Sequence, residues 1–222
     1  RLLKRFLPRL NTHHKQFFFS VRPVFVEGYT DQQIFSLLQE HRGRLTGAAG
    51  ESFIDVGGKD ELDLFFRLCR RLGIQAQLVT DLDALFSGRL LRTLSAAEFT
   101  GGVAAETGAE EQDFLAGLKR RMFMLAREAA RSRSLREANG VMRDFVRELR
   151  ARNEEDSRVY AFYLGLAHHP GEVKRLIPER SAELEYILKL MGRVIETLTG
   201  HGVHVLSRGQ LHRFRSQVSV GD

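Results

Sequence analysis

The run Pro23-Val24-Phe25-Val26-Glu27-Gly28 joins a short apolar stretch to an acid and a glycine. Such a stretch, ended by a turn residue, is typical of a buried strand. Two similar stretches follow at 52–56 and 74–80, and an apolar helical periodicity separates each from the stretch before it. Strand, helix, strand, helix and strand within about sixty residues predict a parallel sheet with right-handed crossovers.

The two helices between these strands are predicted from apolar residues at helical spacing. We expect Asp31 to cap the first helix, with Ile34, Leu37 and Leu38 on its buried face. The second helix carries Cys69 among its apolar positions, so this thiol is predicted to belong to the core.

The alternation of strands and helices stops after Asp83. Residues 87–111 are rich in Gly, Ala, Ser and Thr and are expected to form a loose connection, whereas 112–166 show a helical and basic pattern. A helix capped by Ser181 and a strand at 203–206 then predict a return to the sheet. The sequence therefore predicts an α/β parallel-sheet domain interrupted by a helical insertion.

Composition excludes several classes of protein. The 222 residues are 43% hydrophobic and 28% charged, which allows a packed core and excludes a disordered tail or a collagen-like fibre. The single cysteine excludes a disulfide framework and a thiolate zinc site. With no apolar run of about 18 residues and no signal-peptide pattern, we expect a cytoplasmic protein without a membrane span. Because the first residue is Arg1, we expect a fragment of a longer protein.

The basic charge is concentrated in one segment of the chain. The whole sequence has a formal net charge of +6. From Lys119 to Arg152, eleven basic residues stand against four acidic ones, a net charge of +7. This concentration predicts that the segment binds a polyanion.

Two pairs of carboxylates lie where predicted strands end. Glu27 and Asp31 follow the first strand, and Asp81 and Asp83 follow the third. The carboxyl ends of parallel strands meet at one edge of a sheet, and alternation along an extended segment points Asp81 and Asp83 to the same side. Four carboxylates there would repel one another unless a cation lay between them, and oxygen ligands favour Mg²⁺ or Mn²⁺. Alternatively, Asp31 is only a helix cap and the other pair a polar turn.

The same residues resemble motifs of a known family. The stretch Val24–Asp31 resembles the opening Glu-Gly motif of Toprim domains, and Val79–Ala84 resembles their Asp-x-Asp strand. The most similar version is the nuclease half of the overcoming-lysogenisation-defect (OLD) family of ATP-dependent endonucleases. Three further stretches fit that family: Phe17-Phe18-Phe19, Val56-Gly57-Gly58-Lys59 and Val203–Gly209.

The resemblance implies a division of the chain into three parts. Residues 17–86 and 178–222 would form a Toprim-like catalytic domain, and 87–177 would form a helical, basic insertion. Residues 1–16 would be a helical segment that links to a missing upstream domain, for which the family implies an ATPase. The apolar residues of that segment would pack on the missing half or on a second copy of the chain, as in a homo-oligomer.

The resemblance also implies metal-dependent cleavage of DNA at a site with two Mg²⁺ or Mn²⁺ ions. Glu27 would act in catalysis as well as in metal binding. The implied metal ligands are Glu27, Asp31, Asp81 and Asp83.

The sequence departs from the family pattern after the last strand. Family members often carry a Glu there, where this chain has Gln210 and His212. Glu183 is a candidate for the missing ligand, although an ordinary acid in the first turn of a helix is the alternative. Phosphoryl transfer also needs a fixed cation. Lys189 and Lys59 are the candidates, and Lys189 is our prediction.

Two other functions remain open from the sequence. A Toprim-like module would hold Mg²⁺ and DNA without cutting, and a topoisomerase or primase fragment would share the Glu and Asp-x-Asp pattern. The sequence has no tyrosine-bearing topoisomerase motif and no zinc ribbon, which makes the last alternative the weakest. We therefore predict a metal-dependent DNA endonuclease.

Overall fold

Four parallel strands form the sheet of the protein. The computed structural model describes residues 14–46, 52–107, 114–132 and 140–206. In these ranges the strands pair in the order β2-β1-β3-β4. Their bounds are β1 Pro23–Val26, β2 Ser52–Asp55, β3 Gln77–Asp81 and β4 Val203–Leu206.

Two helices cover opposite faces of this sheet. Helix α1 (Tyr29–Thr46) joins β1 to β2, and α2 (Lys59–Leu72) joins β2 to β3. Because strand residues alternate, Val24 lies in a cluster with Phe35 of α1. Phe25 points the other way and meets Phe65 of α2, with ring centroids 5.2 Å apart. The sheet is thus buried on both faces, as parallel sheets require.

The strand order reverses between β1 and β3. From β1 the chain crosses to β2 on one side, and from β2 it returns past β1 to β3 on the other side. The carboxyl ends of β1 and β3 therefore flank the switch point, which is the usual position of ligands in open α/β sheets.

A run of helices separates β3 from β4 in the described residues. After a 3₁₀ turn at Leu82–Leu85, the helices are α3 Gly88–Leu94, α4 Ala97–Thr107, α5 Phe114–Arg131, α6 Gly140–Ala151, α7 Glu155–His168, α8 Pro170–Leu176 and α9 Ser181–Gly200. Their apolar sides join α2 and one face of the sheet in one cluster of buried residues. The α/β fold with a parallel sheet and a helical insertion is confirmed, whereas the boundaries of the three predicted parts stay predictions.

The stretch 87–111 is not the loose connection that its composition predicted. Its described residues form α3 and α4, and Leu90, Leu94 and Phe99 are buried. Leu90 and Leu94 lie four residues apart, as do Phe99 and the buried Val103. This helical spacing of apolar residues outweighs the high content of Gly, Ser and Thr.

Strand β3 begins at Gln77, three residues later than predicted. Gly73 adopts a φ of 69° and ends α2 in the left-handed conformation that glycine tolerates. The N–H of Ile74 then donates to the Cys69 carbonyl at 2.9 Å. Residues 74–76 therefore complete the helix end before the chain joins the sheet. Cys69 itself is buried, as predicted.

Helix α1 buries fewer residues than its sequence predicted. Leu37 and Leu38, expected on the buried face, are 62% and 59% exposed. The helix is held by its first two turns instead, where Phe35 stacks on Phe53 and Gln32 donates to the Phe53 carbonyl at 3.0 Å. Among the described residues, α1 packs mainly against β1 and β2.

Two further predictions concern the ends of the last helix and of the chain. Ser181 begins α9 but does not cap it, because its hydroxyl donates to the Pro178 carbonyl at 2.8 Å. The predicted helix before Pro8 and the residues Gln210 and His212 lie outside the described residues.

No helix of the described ranges is long and apolar enough to span a membrane.

Candidate metal centre

Glu27 directly follows β1, and its side chain reaches the neighbouring strand β3. Its Oε1 accepts a hydrogen bond from the Thr80 hydroxyl at 2.7 Å and one from the Asp81 N–H at 3.2 Å. These bonds fix the carboxylate at the carboxyl end of β3. Burial raises the pKa of Glu27, so a bound cation would favour its charged form.

Asp81 and Asp83 join Glu27 through a turn in the backbone. Asp81 is extended at the end of β3, and the chain then enters the 3₁₀ turn at Leu82–Leu85. The alternation of side chains expected along an extended segment therefore stops at Asp81. The turn that follows places the Asp83 carboxylate beside those of Glu27 and Asp81. One carboxylate oxygen from each of Glu27, Asp81 and Asp83 lies within 4.8 Å of the others. We call these three residues the acidic centre.

Lys59, the first residue of α2, is a cation that contacts the acidic centre. Its Nζ donates to Asp83 Oδ2 at 2.8 Å and to Ser87 Oγ at 3.0 Å. The side chains of Lys59 and Asp83 are 31% and 24% exposed, so this ion pair is partly shielded from water. Lys59 thus brings one positive charge to a group of three carboxylates.

A glycine turn places Lys59 at the acidic centre. Gly57 and Gly58 adopt φ angles of 79° and 130°, which other residues rarely adopt. The Gly58 N–H donates to the backbone carbonyl of Glu27 at 2.6 Å. The turn thus ties the start of α2 to the end of β1 and directs Lys59 toward Asp83.

The acidic centre fits a hard divalent cation. Asp83 Oδ1 is buried and has no hydrogen-bond partner among the described residues, which is costly for a carboxylate oxygen. A metal ion would satisfy this atom and offset the excess negative charge. Because all three donors are carboxylate oxygens, they favour Mg²⁺ or Mn²⁺ over softer ions.

Comparison with known families identifies the segment that carries this centre. Residues 18–83 match the model of the overcoming lysogenization defect protein-like TOPRIM domain. Residues 18–83 are an OLD-like Toprim domain. The matched Toprim segment holds β1, β2, β3 and the whole acidic centre, and it indicates a metal-binding function related to nucleic acids. No curated protein and no solved structure matches the chain.

Two predicted ligands lie outside the three-carboxylate group of the Toprim domain. Asp31 lies in the first turn of α1, half-buried, and its Oδ2 is 3.9 Å from the point where a Cβ on Gly28 would lie. Glu183, in the first turn of α9, forms ion pairs with Arg121 and, at 3.5 Å, with Arg180. The charge of Glu183 is thus offset by arginines rather than directed at the acidic centre.

The cation predicted for the site is also placed differently. Lys189 is exposed on α9, whereas Lys59 contacts Asp83. The sequence indicated both lysines but favoured Lys189, because Lys189 shares a helix with Glu183. The glycine pair before Lys59 is the signal that favours Lys59, since it marks a turn at the mouth of β2.

A cavity of about 270 Å³ opens beside the acidic centre. Its lining combines residues that follow β3 with residues after α6 and in α7: Asp83, Phe86, Ser87, Arg152, Glu154, Asp156, Ser157 and Tyr160. The helical region therefore forms a wall of the Toprim site. The sequence did not predict Ser87 or Arg152 there, because neither belongs to a local motif.

Proposed function

We propose that the protein is a metal-dependent endonuclease that cleaves phosphodiester bonds of DNA. The observation that carries this proposal is the convergence of Glu27, Asp81 and Asp83 within 4.8 Å at the switch point of a Toprim domain. Mg²⁺ or Mn²⁺ held by these carboxylates would polarise the phosphate and activate a water. Two ions are proposed, and Asp31, whose Oδ2 lies 3.9 Å from the point where a Cβ on Gly28 would lie, is the proposed ligand of the second.

Two residues of the chain support this chemistry without binding metal. Lys59 holds a positive charge at the acidic centre, where it would stabilise negative charge that develops on the phosphate. Thr80 orients Glu27 through the 2.7 Å hydrogen bond, as residues behind metal ligands commonly do. Lys59, rather than Lys189, is therefore the proposed catalytic cation.

The basic helices are proposed to hold the DNA by its phosphates. The stretch from Lys119 to Arg152 carries a net charge of +7 and includes parts of α5 and α6. Contacts to phosphates position a duplex without reading its sequence, and they weaken steeply as salt rises. We therefore expect little sequence preference and a strong dependence of affinity on salt.

Three features of the full-length protein are proposed from the OLD-like resemblance. An ATPase domain would accompany the Toprim domain, the protein would act in the cytoplasm, and the chain would form a homo-oligomer. Measuring the size of the full-length protein in solution tests the homo-oligomer, and an assay of ATP hydrolysis tests the ATPase domain.

Conversion of supercoiled plasmid in the presence of Mn²⁺ tests the proposed activity. We expect the protein to nick or linearise the plasmid and the Asp81→Ala, Asp83→Ala double variant to be inactive. The Glu155→Ala, Glu179→Ala variant is a matched control, because it removes two exposed carboxylates that lie outside the acidic centre. Full activity of the Asp81, Asp83 variant, or equal loss in both variants, would overturn the proposal.

The second candidate function is a module that binds a metal ion and DNA without cutting. It is favoured by the small number of carboxylates that converge. Only three meet among the described residues, and the predicted ligands Asp31 and Glu183 lie outside this group. Metal and DNA binding that depend on the acidic centre and the basic helices, without any plasmid conversion in Mg²⁺ or Mn²⁺, would establish this function instead.

A further inference from the structure

The helical region contains a cavity of about 410 Å³ that is lined by four arginines. Arg127 and Arg131 come from α5, Arg150 from α6 and Arg158 from α7, and Ala130 and Leu149 complete the lining. No acidic side chain lines it in the described residues. We call it the arginine cavity. A guanidinium stays protonated at any physiological pH, so the cavity carries four positive charges.

These four arginines have no carboxylate partner among the described residues, as is also true of Arg120 and Arg143, but only these four meet at one cavity. Other arginines of the helical region do form ion pairs, among them Arg121 with Glu183, Arg147 with Asp144, Arg152 with Glu148, Arg175 with Glu172 and Arg180 with Glu128. Four of the unpaired guanidiniums of the helical region are therefore gathered at one cavity.

Backbone and aromatic contacts hold three of the four side chains in place. Arg150 Nε donates to the Ala130 carbonyl at 2.7 Å, and Arg158 Nε donates to the Arg152 carbonyl at 2.9 Å. Arg127 and Arg158 also lie over the ring of Phe123, with their Cζ atoms 5.8 Å and 5.7 Å from its centroid.

This arrangement favours an anionic ligand. Like charges held around one cavity repel one another, and a bound anion removes that repulsion. Because most of the guanidiniums are already oriented, little side-chain freedom is lost when the anion binds. Phosphate suits the site well, since a guanidinium donates two parallel hydrogen bonds to its oxygens.

The arginine cavity lies next to the cavity of the acidic centre. The junction of α6 and α7 lines both cavities. Leu149, Arg150 and Arg158 line the arginine cavity, and Arg152, Glu154, Asp156, Ser157 and Tyr160 line the cavity beside Asp83. The hydrogen bond from Arg158 to the Arg152 carbonyl joins the two sides of this junction. A strand that crosses this junction would pass from the arginine cavity to the cavity that Asp83 lines.

We propose that the arginine cavity binds backbone phosphates of the DNA strand that is presented to the acidic centre. The proposal rests on the DNA-binding part of the proposed function and names the arginines responsible. It distinguishes a built phosphate site from a generally basic helix surface, in which every exposed arginine would contribute alike.

The test compares two double variants that remove the same charge. Arg131→Gln, Arg150→Gln removes two exposed arginines of the cavity. Arg175→Gln, Arg193→Gln removes two exposed arginines of α8 and α9 that neither line this cavity nor belong to the basic stretch from Lys119 to Arg152. DNA affinity is measured by fluorescence anisotropy of a labelled duplex in EDTA over a range of salt concentrations. Binding is thus recorded without metal or cleavage.

We expect the cavity variant to bind about tenfold more weakly at low salt. The slope of log affinity against log salt should become shallower by about 0.9 for each phosphate that the variant no longer neutralises. The control variant should stay within about twofold of the unmodified protein. The single variant Arg131→Gln retains the bond from Arg150 to Ala130, so it tests the cavity even if the double variant unfolds. Equal weakening in both double variants, or none in either, would overturn the proposal.

A second arm distinguishes a DNA backbone from a free anion. If pyrophosphate binds in an Arg150-dependent manner while the cavity variant keeps its DNA affinity, the site serves a small anion and the proposal is wrong. Failure of the inference is separable from failure of the proposed function. Plasmid cleavage with control-like DNA binding by the cavity variant overturns only the inference, and arginine-dependent DNA binding without cleavage overturns only the nuclease activity.

Discussion

The acidic centre and the arginine cavity differ in how the chain assembles them. Glu27, Asp81 and Asp83 lie at the ends of two adjacent strands, and the backbone positions them within a few residues of each strand end. The four arginines come from three helices, and only the packing of α5, α6 and α7 brings them together. The first kind of site is visible in local motifs, whereas the second depends on tertiary structure.

The two sites also differ in electrostatic balance. The acidic centre combines three carboxylates with the contacting Lys59, and the arginine cavity combines four guanidiniums with no acid among its described lining residues. Each site therefore has an excess of one sign of charge. Their opposite signs suit a metal ion at one and phosphates at the other.

The largest expected effect is on the lysine that contacts the acidic centre. Lys59→Met should lower the rate of plasmid cleavage in Mn²⁺ by about 100-fold to 1000-fold, because it removes a fixed positive charge from the site. Lys189→Met is the matched control and should leave the rate unchanged, since Lys189 lies on α9 outside the acidic centre. The reverse pattern would restore the sequence-based assignment and contradict the role of Lys59.

A smaller effect is expected for Thr80, whose hydroxyl donates to the metal ligand Glu27. Thr80→Val should lower the affinity for Mn²⁺ by about 10-fold to 100-fold, because Glu27 loses the hydroxyl that orients it. Calorimetric titration with Mn²⁺ measures this change. Thr199→Val, at an exposed position of α9, should bind Mn²⁺ like the unmodified protein. Equal affinities in both variants would show that Thr80 does not orient a ligand.

Replacement of Glu183 by Gln should change the stability of the fold rather than the dependence of cleavage on the metal ion. Mn²⁺ is expected to support cleavage better than Mg²⁺, and Glu183→Gln should leave that ratio unchanged because Glu183 pairs with Arg121 and Arg180. Removal of these pairs should lower the free energy of unfolding by about 1 kcal/mol at most, since both arginines are half exposed. A selective loss of Mg²⁺-supported cleavage would show instead that Glu183 is a ligand.

The smallest expected difference concerns how the two regions unfold. Cys69 of the Toprim domain lies in the same buried cluster as the helices that carry the arginines. Burial raises the pKa of its thiol to about 12, so the folded protein should resist alkylation at pH 8. Exposure of the thiol and loss of helical circular dichroism should share one urea midpoint. Two separate midpoints would show that the regions unfold independently.

The same raised pKa has a consequence at high pH. A thiol whose pKa is higher in the folded state favours folding fully only below its unfolded pKa, near 9. That contribution decreases as the pH rises from about 9 toward 12. The Cys69→Ala variant should therefore lose less stability than the unmodified protein between about pH 8 and about pH 10.5. Thermal unfolding of both proteins at these two pH values measures the difference.

The sequence predicts the acidic centre well because its signals are local. Each ligand lies at the end of a short apolar strand or within two residues after it, and parallel strands place their carboxyl ends at one edge. The 3₁₀ turn after Asp81 was not predicted. The prediction treated Asp83 as part of an extended segment with alternating side chains, whereas Asp83 lies in the turn. The sequence favoured Lys189 over Lys59, and the observed contact of Lys59 with Asp83 depends on how α2 packs.

The helical region is harder to predict for physical reasons. Arg127 and Arg131 share a helix face because they lie four residues apart, but nothing in the sequence shows that Arg150 and Arg158 meet them. Similarly, 87–111 has the composition of a loop, and its helices are stabilised by burying Leu90, Leu94 and Phe99 in the tertiary core. Packing, not local propensity, decides the structure there.

Direct binding of Mn²⁺ tests the central claim that Glu27, Asp81 and Asp83 form a hard-cation site. Titration followed by electron paramagnetic resonance compares the unmodified protein with the Asp81→Asn, Asp83→Asn variant, which retains side-chain size while removing both charges. We predict saturable binding to the unmodified protein and loss of that binding in the variant. Saturable Mn²⁺ binding of equal strength in both proteins would contradict the account.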